Sequence, residues 1–236
     1  MLGILGAIEA EIGLVRARVS GGHDTTIGST VVSTGTYVTP GGALRPVAVA
    51  RCGVGKVNAA LAVAALARTG VTRALFTGVA GGVAPGLGVG DLVVATDLVQ
   101  HDVDVTALGY RRGQLIGEPF AWDADPGLSS AVADAARAAV AGSGSAVHRG
   151  RIVSGDQFIA DPRRARDLHA DFGALSAEME GAAFAQACAG YGLPFAVVRA
   201  LSDTADGSAA GDFTAFLTRA SDVGLALVDA LVDRLG

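Results

Sequence analysis

Short runs rich in β-branched and apolar residues alternate along this chain with alanine-rich stretches, and that alternation restricts the possible folds more than any other feature. Residues 2–8, 30–37, 46–52, 74–78, 91–99, 146–154, 175–180 and 194–202 are predicted strands. Several are apolar without a break, as expected where both faces of a strand are covered. Helical spacing marks residues 57–68, 129–141, 162–170, 181–190 and 213–234, and residues 10–18 also look helical. Gly190 and Gly192 supply a helix stop and Pro194 opens the next strand. Strand–helix alternation of this kind predicts an α/β fold, a three-layer sandwich with a central mixed, mostly parallel twisted sheet flanked by helices. No linker, repeat or charge block divides the chain, so a single domain over residues 1–236 is expected, with 81–90 a loop inside it.

Composition removes several classes of function. Half of the residues are hydrophobic and 17% are charged, and the net charge is −5 with no basic cluster, which argues against nucleic acid or an anionic membrane as partner. No apolar run approaches the roughly 20 residues of a membrane span, and the first residues lack a signal peptide's basic region and cleavage site; a cytoplasmic protein is expected. Cys52 and Cys188 sit in apolar segments and read as thiols in a reducing compartment. The 34 glycines are scattered among valine, alanine and leucine, unlike a disordered tract.

In open α/β sheets, ligands collect at the carboxyl ends of strands. There the chain places most of its unusual polar residues. In "SAEMEG", Glu178 and Glu180 would share one side of a strand with Met179 on the other. Paired carboxylates in an apolar setting need a cation or hydrogen-bond donors; the alternative is a solvated strand end. Arg199, inside the apolar run "FAVVRALSD", needs a carboxylate in turn, and Glu178 is the obvious one. Asp203, just past that run, either caps a turn or, at an apolar cleft, serves as a proton donor. Glu9 and Glu11 share a side if the first strand extends that far, or else decorate the first turn of a helix. "GVGKVN" lacks the third glycine of a dinucleotide fingerprint and is no Walker motif. His23, His101, His148 and His169 are dispersed, so no metal is expected.

Seven pieces, in order along nearly the whole chain, carry a resemblance: "GILGAIEAE", "GVGKVNAA", "TGVAGGVAPGLGVGDLVV", "QHDVDVTALGY", "GRIVSGDQFI", "AEMEGAAFA" and "VVRALSDTAD". Together they resemble the 5′-methylthioadenosine/S-adenosylhomocysteine nucleosidases of the purine nucleoside phosphorylase-like superfamily. The resemblance implies a cofactor-free, metal-free hydrolase, usually homodimeric, that cuts the N-glycosidic bond of an adenine nucleoside. It implies that Glu11 activates water and that Asp203, positioned by Ser202, protonates purine N7. Glu180 would bind the ribose hydroxyls and Met179 line the sugar, with Glu178 and Arg199 in support and the 79–81 turn (Val79, Ala80, Gly81) alongside. Phe158 would stack on adenine and the Ile159 backbone meet the base edge. Ile8, Val54 and Phe213 would line the 5′ pocket, closed by Val105 and Leu108 of a second copy. Three positions depart from the family pattern. Val79 stands where serine is frequent and Leu108 where an aromatic is frequent, which bears on water positioning and on 5′-group preference; Gly181 replaces a usual alanine, with little effect expected.

A phosphorylase of the same superfamily is a rival, but phosphate favours arginines or bare amides where this chain has the acidic "GAIEAEI". A hydrolase of 6-amino-6-deoxyfutalosine, differing at the 5′ side alone, is a second rival. A nucleoside-binding sensor or a dinucleotide-binding oxidoreductase is a third.

Overall fold

The computed structural model describes residues 1–203 and 213–235. In chain order the strands and helices are β1 (Leu2–Gly6), α1 (Glu9–Ala17), β2 (Val19–Ile27), β3 (Thr30–Val38), β4 (Leu44–Arg51), α2 (Lys56–Leu66), β5 (Arg73–Gly82) and β6 (Leu92–Gln100). They continue with β7 (Trp122–Asp123), α3 (Pro126–Ala139), β8 (Val147–Ser154), α4 (Pro162–Phe172), β9 (Ala174–Glu178), α5 (Gly181–Gly190), β10 (Phe195–Asp203) and α6 (Phe213–Arg234). This is the expected mixed sheet with helices on both faces. β1 lies between β4 and β5, parallel to both, and β10 runs parallel to β5. Antiparallel pairings join β10 to β6, β5 to β9, and β3 to both β2 and β4.

Local chemistry explains where elements begin. Asp125 caps α3, its carboxylate accepting from Leu128 N at 2.7 Å, and Pro126 takes the first helical turn. The helix therefore starts three residues before the predicted 129, because a capped proline begins a helix that hydrophobic spacing alone does not mark. Asp161 and Pro162 open α4 in the same way. The strand at Val19–Ile27 was not predicted, since "VSGGHDTTI" has no apolar alternation. It is an edge strand paired on one side with β3 and mostly exposed, where polar residues discourage further pairing. The first strand ends at Gly6 rather than residue 8, and the strand beginning near 74 runs on to Gly82, into the segment predicted as loop.

Two cores cover the sheet. On one face α2 and α5 bury small alanines against a cluster of rings, with Phe76 and Phe184 centroids 5.1 Å apart and Phe184 edge-on to Phe195 at 5.8 Å. On the other face α1, α3 and α6 cover Ile4, Tyr37, Leu75 and Val94. The sheet also closes on itself. β10 bonds to both β5 and β6, and β9 to both β5 and β8, so the ends of β5, β9 and β10 converge.

Tyr37 joins the second core to α6 through a buried hydrogen bond, its hydroxyl donating to Asp229 Oδ1 at 2.8 Å. Tyr37→Phe leaves a mostly buried carboxylate short of a donor and is expected to cost about 1–3 kcal/mol of stability, read by denaturant unfolding.

Candidate active site

The carboxyl ends of six strands surround one cavity of about 300 Å³, within the range of small-molecule sites. After β1 come Ala7, Ile8 and Glu11; after β4, Val54; at the end of β5, Val79, Ala80 and Gly81. The loop after β8 adds Gln157, Phe158 and Ile159; β9 and its exit add Ala177, Glu178, Met179 and Glu180; β10 ends on Ser202 and Asp203. Ala7, Gln157 and Ala177 were not singled out in the sequence. Each adjoins a residue that was, and adjacency is the only sequence signal they carry.

Glu11 sits in the first turn of α1, so the extended alternative for Glu9 and Glu11 does not occur. Glu9 turns outward to Arg16. The Glu11 carboxylate folds back over the helix start, with Oε2 accepting from Ala7 N at 2.7 Å and Ile8 N at 3.1 Å. Oε1 accepts from Val79 N at 2.9 Å across the sheet. Position 79 thus holds Glu11 through its backbone N–H, which valine supplies as well as serine does.

β9 ends at Glu178, so Glu178 and Glu180 are not strand neighbours on one side; Met179 and Glu180 follow in the turn into α5, and all three line the cavity. Glu178 pairs with Arg199 Nη2 and accepts the Ser154 hydroxyl, as well as Gly181 N at 2.9 and 2.8 Å and Glu180 N at 3.1 Å. Its charge is consumed by the protein. Arg199 is 1% exposed beneath the cavity, its guanidinium 4.1 Å from the centre of the Phe76 ring. Burial works against its charge, but Glu178, Glu11 and Glu180 outweigh burial and raise its pKa. Glycine at 78 is required here, because a Cβ would collide with both Arg199 Nη1 and Glu11 Oε1.

Glu180 is left with one backbone donor, Gly55 N at 2.8 Å, and lies 3.8 Å from Arg199. Burial, then the charge of Glu178, push its pKa up to about 7, against the pull of Arg199. Asp203 is buried beside Gly81, and the Ser202 hydroxyl is 2.9 Å from Asp203 Oδ2 and 3.3 Å from Ala80 O, able to donate to either. Phe158 is 74% exposed at the cavity mouth. Arg199 supports the cavity without lining it. Val105 and Leu108 do not line it either; they flank a surface turn, with Leu108 65% exposed. Phe213 heads α6, and its side chain lies outside the described residues. Cys52, only half-buried, and Cys188 are free thiols.

Comparison with known proteins agrees with this geometry. A family model described as the phosphorylase superfamily matches residues 1–233. The chain is 39% identical over 236 residues to a 5′-methylthioadenosine/S-adenosylhomocysteine nucleosidase of Haemophilus influenzae, covering 99% of each. A nucleosidase of the same name from Neisseria meningitidis, solved with methylthio-immucillin-A, superposes with a TM-score of 0.89 at 36% identity, covering 99% of this chain and 98% of that one. The futalosine hydrolase of Helicobacter pylori superposes at 0.86 with 31% identity, over 99% of this chain and 97% of that one. With a family model and a full-length relative both matching, the chain belongs to the 5′-methylthioadenosine/S-adenosylhomocysteine nucleosidase family of the phosphorylase superfamily.

Proposed function

We propose that this enzyme hydrolyses the N-glycosidic bond of 5′-methylthioadenosine and S-adenosylhomocysteine, and of 5′-deoxyadenosine, releasing adenine and a 5-substituted ribose in the cytoplasm. The observation that carries the reading is that Glu11 and Asp203, from opposite ends of the chain, line one cavity with Met179 and Glu180. Breaking the bond builds positive charge on the sugar and negative charge on the purine. Asp203, with Ser202 beside it, delivers a proton to purine N7 and so improves the leaving group. Glu11, held by three backbone N–H groups, takes a proton from the water that attacks C1′, as paired carboxylates do in inverting glycoside hydrolysis. Glu180 binds the ribose hydroxyls, Phe158 stacks on the base, and Ile8 and Val54 meet the 5′ group. The likeness to a futalosine hydrolase favours 6-amino-6-deoxyfutalosine as the second substrate reading.

The working unit is proposed to be a homodimer. α2 is apolar on its outer side as well as its inner one: Val57 is 70% and Leu61 49% exposed, one helical turn apart, beside exposed Val54. A second copy covering this face is the partner from which the family resemblance has Val105 and Leu108 close the neighbouring 5′ pocket.

Adenine release from a panel of 5′-substituted adenosines, measured in phosphate-free buffer, tests the reaction class; strict dependence on phosphate would replace hydrolysis by phosphorolysis. Glu11→Gln and Asp203→Asn should each lower kcat by about 10²–10⁴-fold with the fold intact by circular dichroism, and near-normal turnover in either refutes its role. Glu180 gives a stability signature. Its pKa rises on folding from 4.5 to about 7, so the folded state binds the extra proton and stability is lost as pH climbs through that window. The Tm of the ligand-free enzyme should therefore fall from pH 5 to pH 8 by more than that of Glu180→Gln; parallel curves contradict the shift. Leu61→Glu should yield monomers in light scattering if α2 forms the dimer face.

A further inference from the structure

Lys56 is the only lysine in the chain, and it lies outside the cavity at the first position of α2. Its ammonium is mostly buried and bonds Asp102 Oδ1 at 2.8 Å and Gln100 Oε1 at 3.1 Å, both at the exit of β6. The other oxygen of Asp102 accepts from Asp156 N at 3.0 Å, and the Asp156 carboxylate accepts from Lys56 N at 2.8 Å. These bonds close a ring through three separate segments: the start of α2, the exit of β6, and the loop after β8. That loop carries Gln157, Phe158 and Ile159 into the cavity. Its ends are anchored, with Gly155 N bonding Glu178 O at 3.1 Å and Ile159 packed against the cluster of Val153 and Phe172, but Asp156, Gln157 and Phe158 between them are all exposed. One residue before Lys56, Gly55 N holds the Glu180 carboxylate, and Gln100 continues the network to Gln186 of α5 at 2.7 Å.

We propose that Lys56 is a positioning residue for base binding: through Asp102 and Asp156 it fixes the loop bearing Phe158 relative to the helix start that holds Glu180. The proposal rests on the nucleosidase reading above. A flexible four-carbon stem suits the task, because one point charge reaches two acceptors without entering the cavity. The register of the loop's exposed part against the sugar site is then set by charge pairing, with Ile159 packed at its far end. Asp102 is a fit partner: burial disfavours its charge, but the bonds from Lys56 and Asp156 N overcome that and hold its pKa low. The consequence is specific. Loosening the ring should weaken the grip on the base while leaving Glu11, Asp203 and the chemical step in place.

The test combines steady-state kinetics on 5′-methylthioadenosine with hydrogen–deuterium exchange of the peptide containing residues 155–159, in wild type, Lys56→Met, Lys56→Arg and Asp102→Asn. Lys56→Met should raise KM about tenfold, leave kcat within about threefold, and speed exchange in that peptide. Lys56→Arg, which keeps the charge and the reach, should restore KM to within about threefold of wild type. Asp102→Asn should behave like Lys56→Met, and the double variant should be no worse than either single one, as for groups acting through one path. Unchanged KM and exchange in Lys56→Met would overturn the proposal, and so would a loss confined to kcat or additive effects in the double variant. If Lys56→Met does not fold, Asp102→Asn set against Lys56→Arg makes the same comparison. A wild type that fails to cleave the nucleoside would remove the nucleosidase reading instead, and the exchange comparison would still decide whether the loop depends on Lys56.

Discussion

A buried guanidinium keeps its charge and so must have carboxylates around it, and Arg199 on β10 imposes that condition on everything around the cavity. Glu178 satisfies most of it, taking Arg199 together with Ser154 and two amides at the start of α5. Such a pair is weak evidence for net stability, but losing one partner leaves an uncompensated buried charge that costs about 3–5 kcal/mol. Its value lies in geometry. With Glu178 committed to the protein, Glu180 and Glu11 face the cavity beside Asp203, and both stand within the field of the same cation.

That arrangement demands close approach of backbone as well as charge. Gly78 lies where β5 passes between Arg199 and Glu11, and a side chain there would push apart the two groups it separates. Val79 N follows at once and holds Glu11 from the strand side. One glycine and one amide on β5 therefore couple the first helix of the chain to its last strand. The polarity of Glu180 follows from the same crowding, since burial and the neighbouring Glu178 charge favour its proton near neutrality. A carboxyl poised in this way can either donate to or accept from a sugar hydroxyl.

Closure of the sheet gives the cavity its walls. β10 bridges β5 and β6 while β9 bridges β5 and β8, so residues from β1, β5, β9 and β10 meet around one space. Around the rim the control is electrostatic as well: the ring through Lys56, Asp102 and Asp156 ties down a loop whose apolar contact is confined to Ile159.

The sequence by itself determined the α/β alternation, most strand and helix positions and the Glu178–Arg199 partnership, and its motifs pointed to many of the residues that line the cavity, though not to Ala7, Gln157 or Ala177. These rest on local periodicity, on the cost of an unpaired buried charge and on motifs kept in order. Tertiary structure decided the rest. The exposed β2 carries no apolar pattern to reveal it, and the start of α3 depends on a cap rather than on spacing. That Glu9 turns to solvent while Glu11 turns inward follows from β1 stopping at Gly6. That Glu180 leaves the strand and becomes free for a ligand follows from β9 stopping at Glu178. Closure of the sheet and the raised pKa of Glu180 depend on groups far apart in the chain meeting at a few ångströms, and no local pattern encodes such a distance.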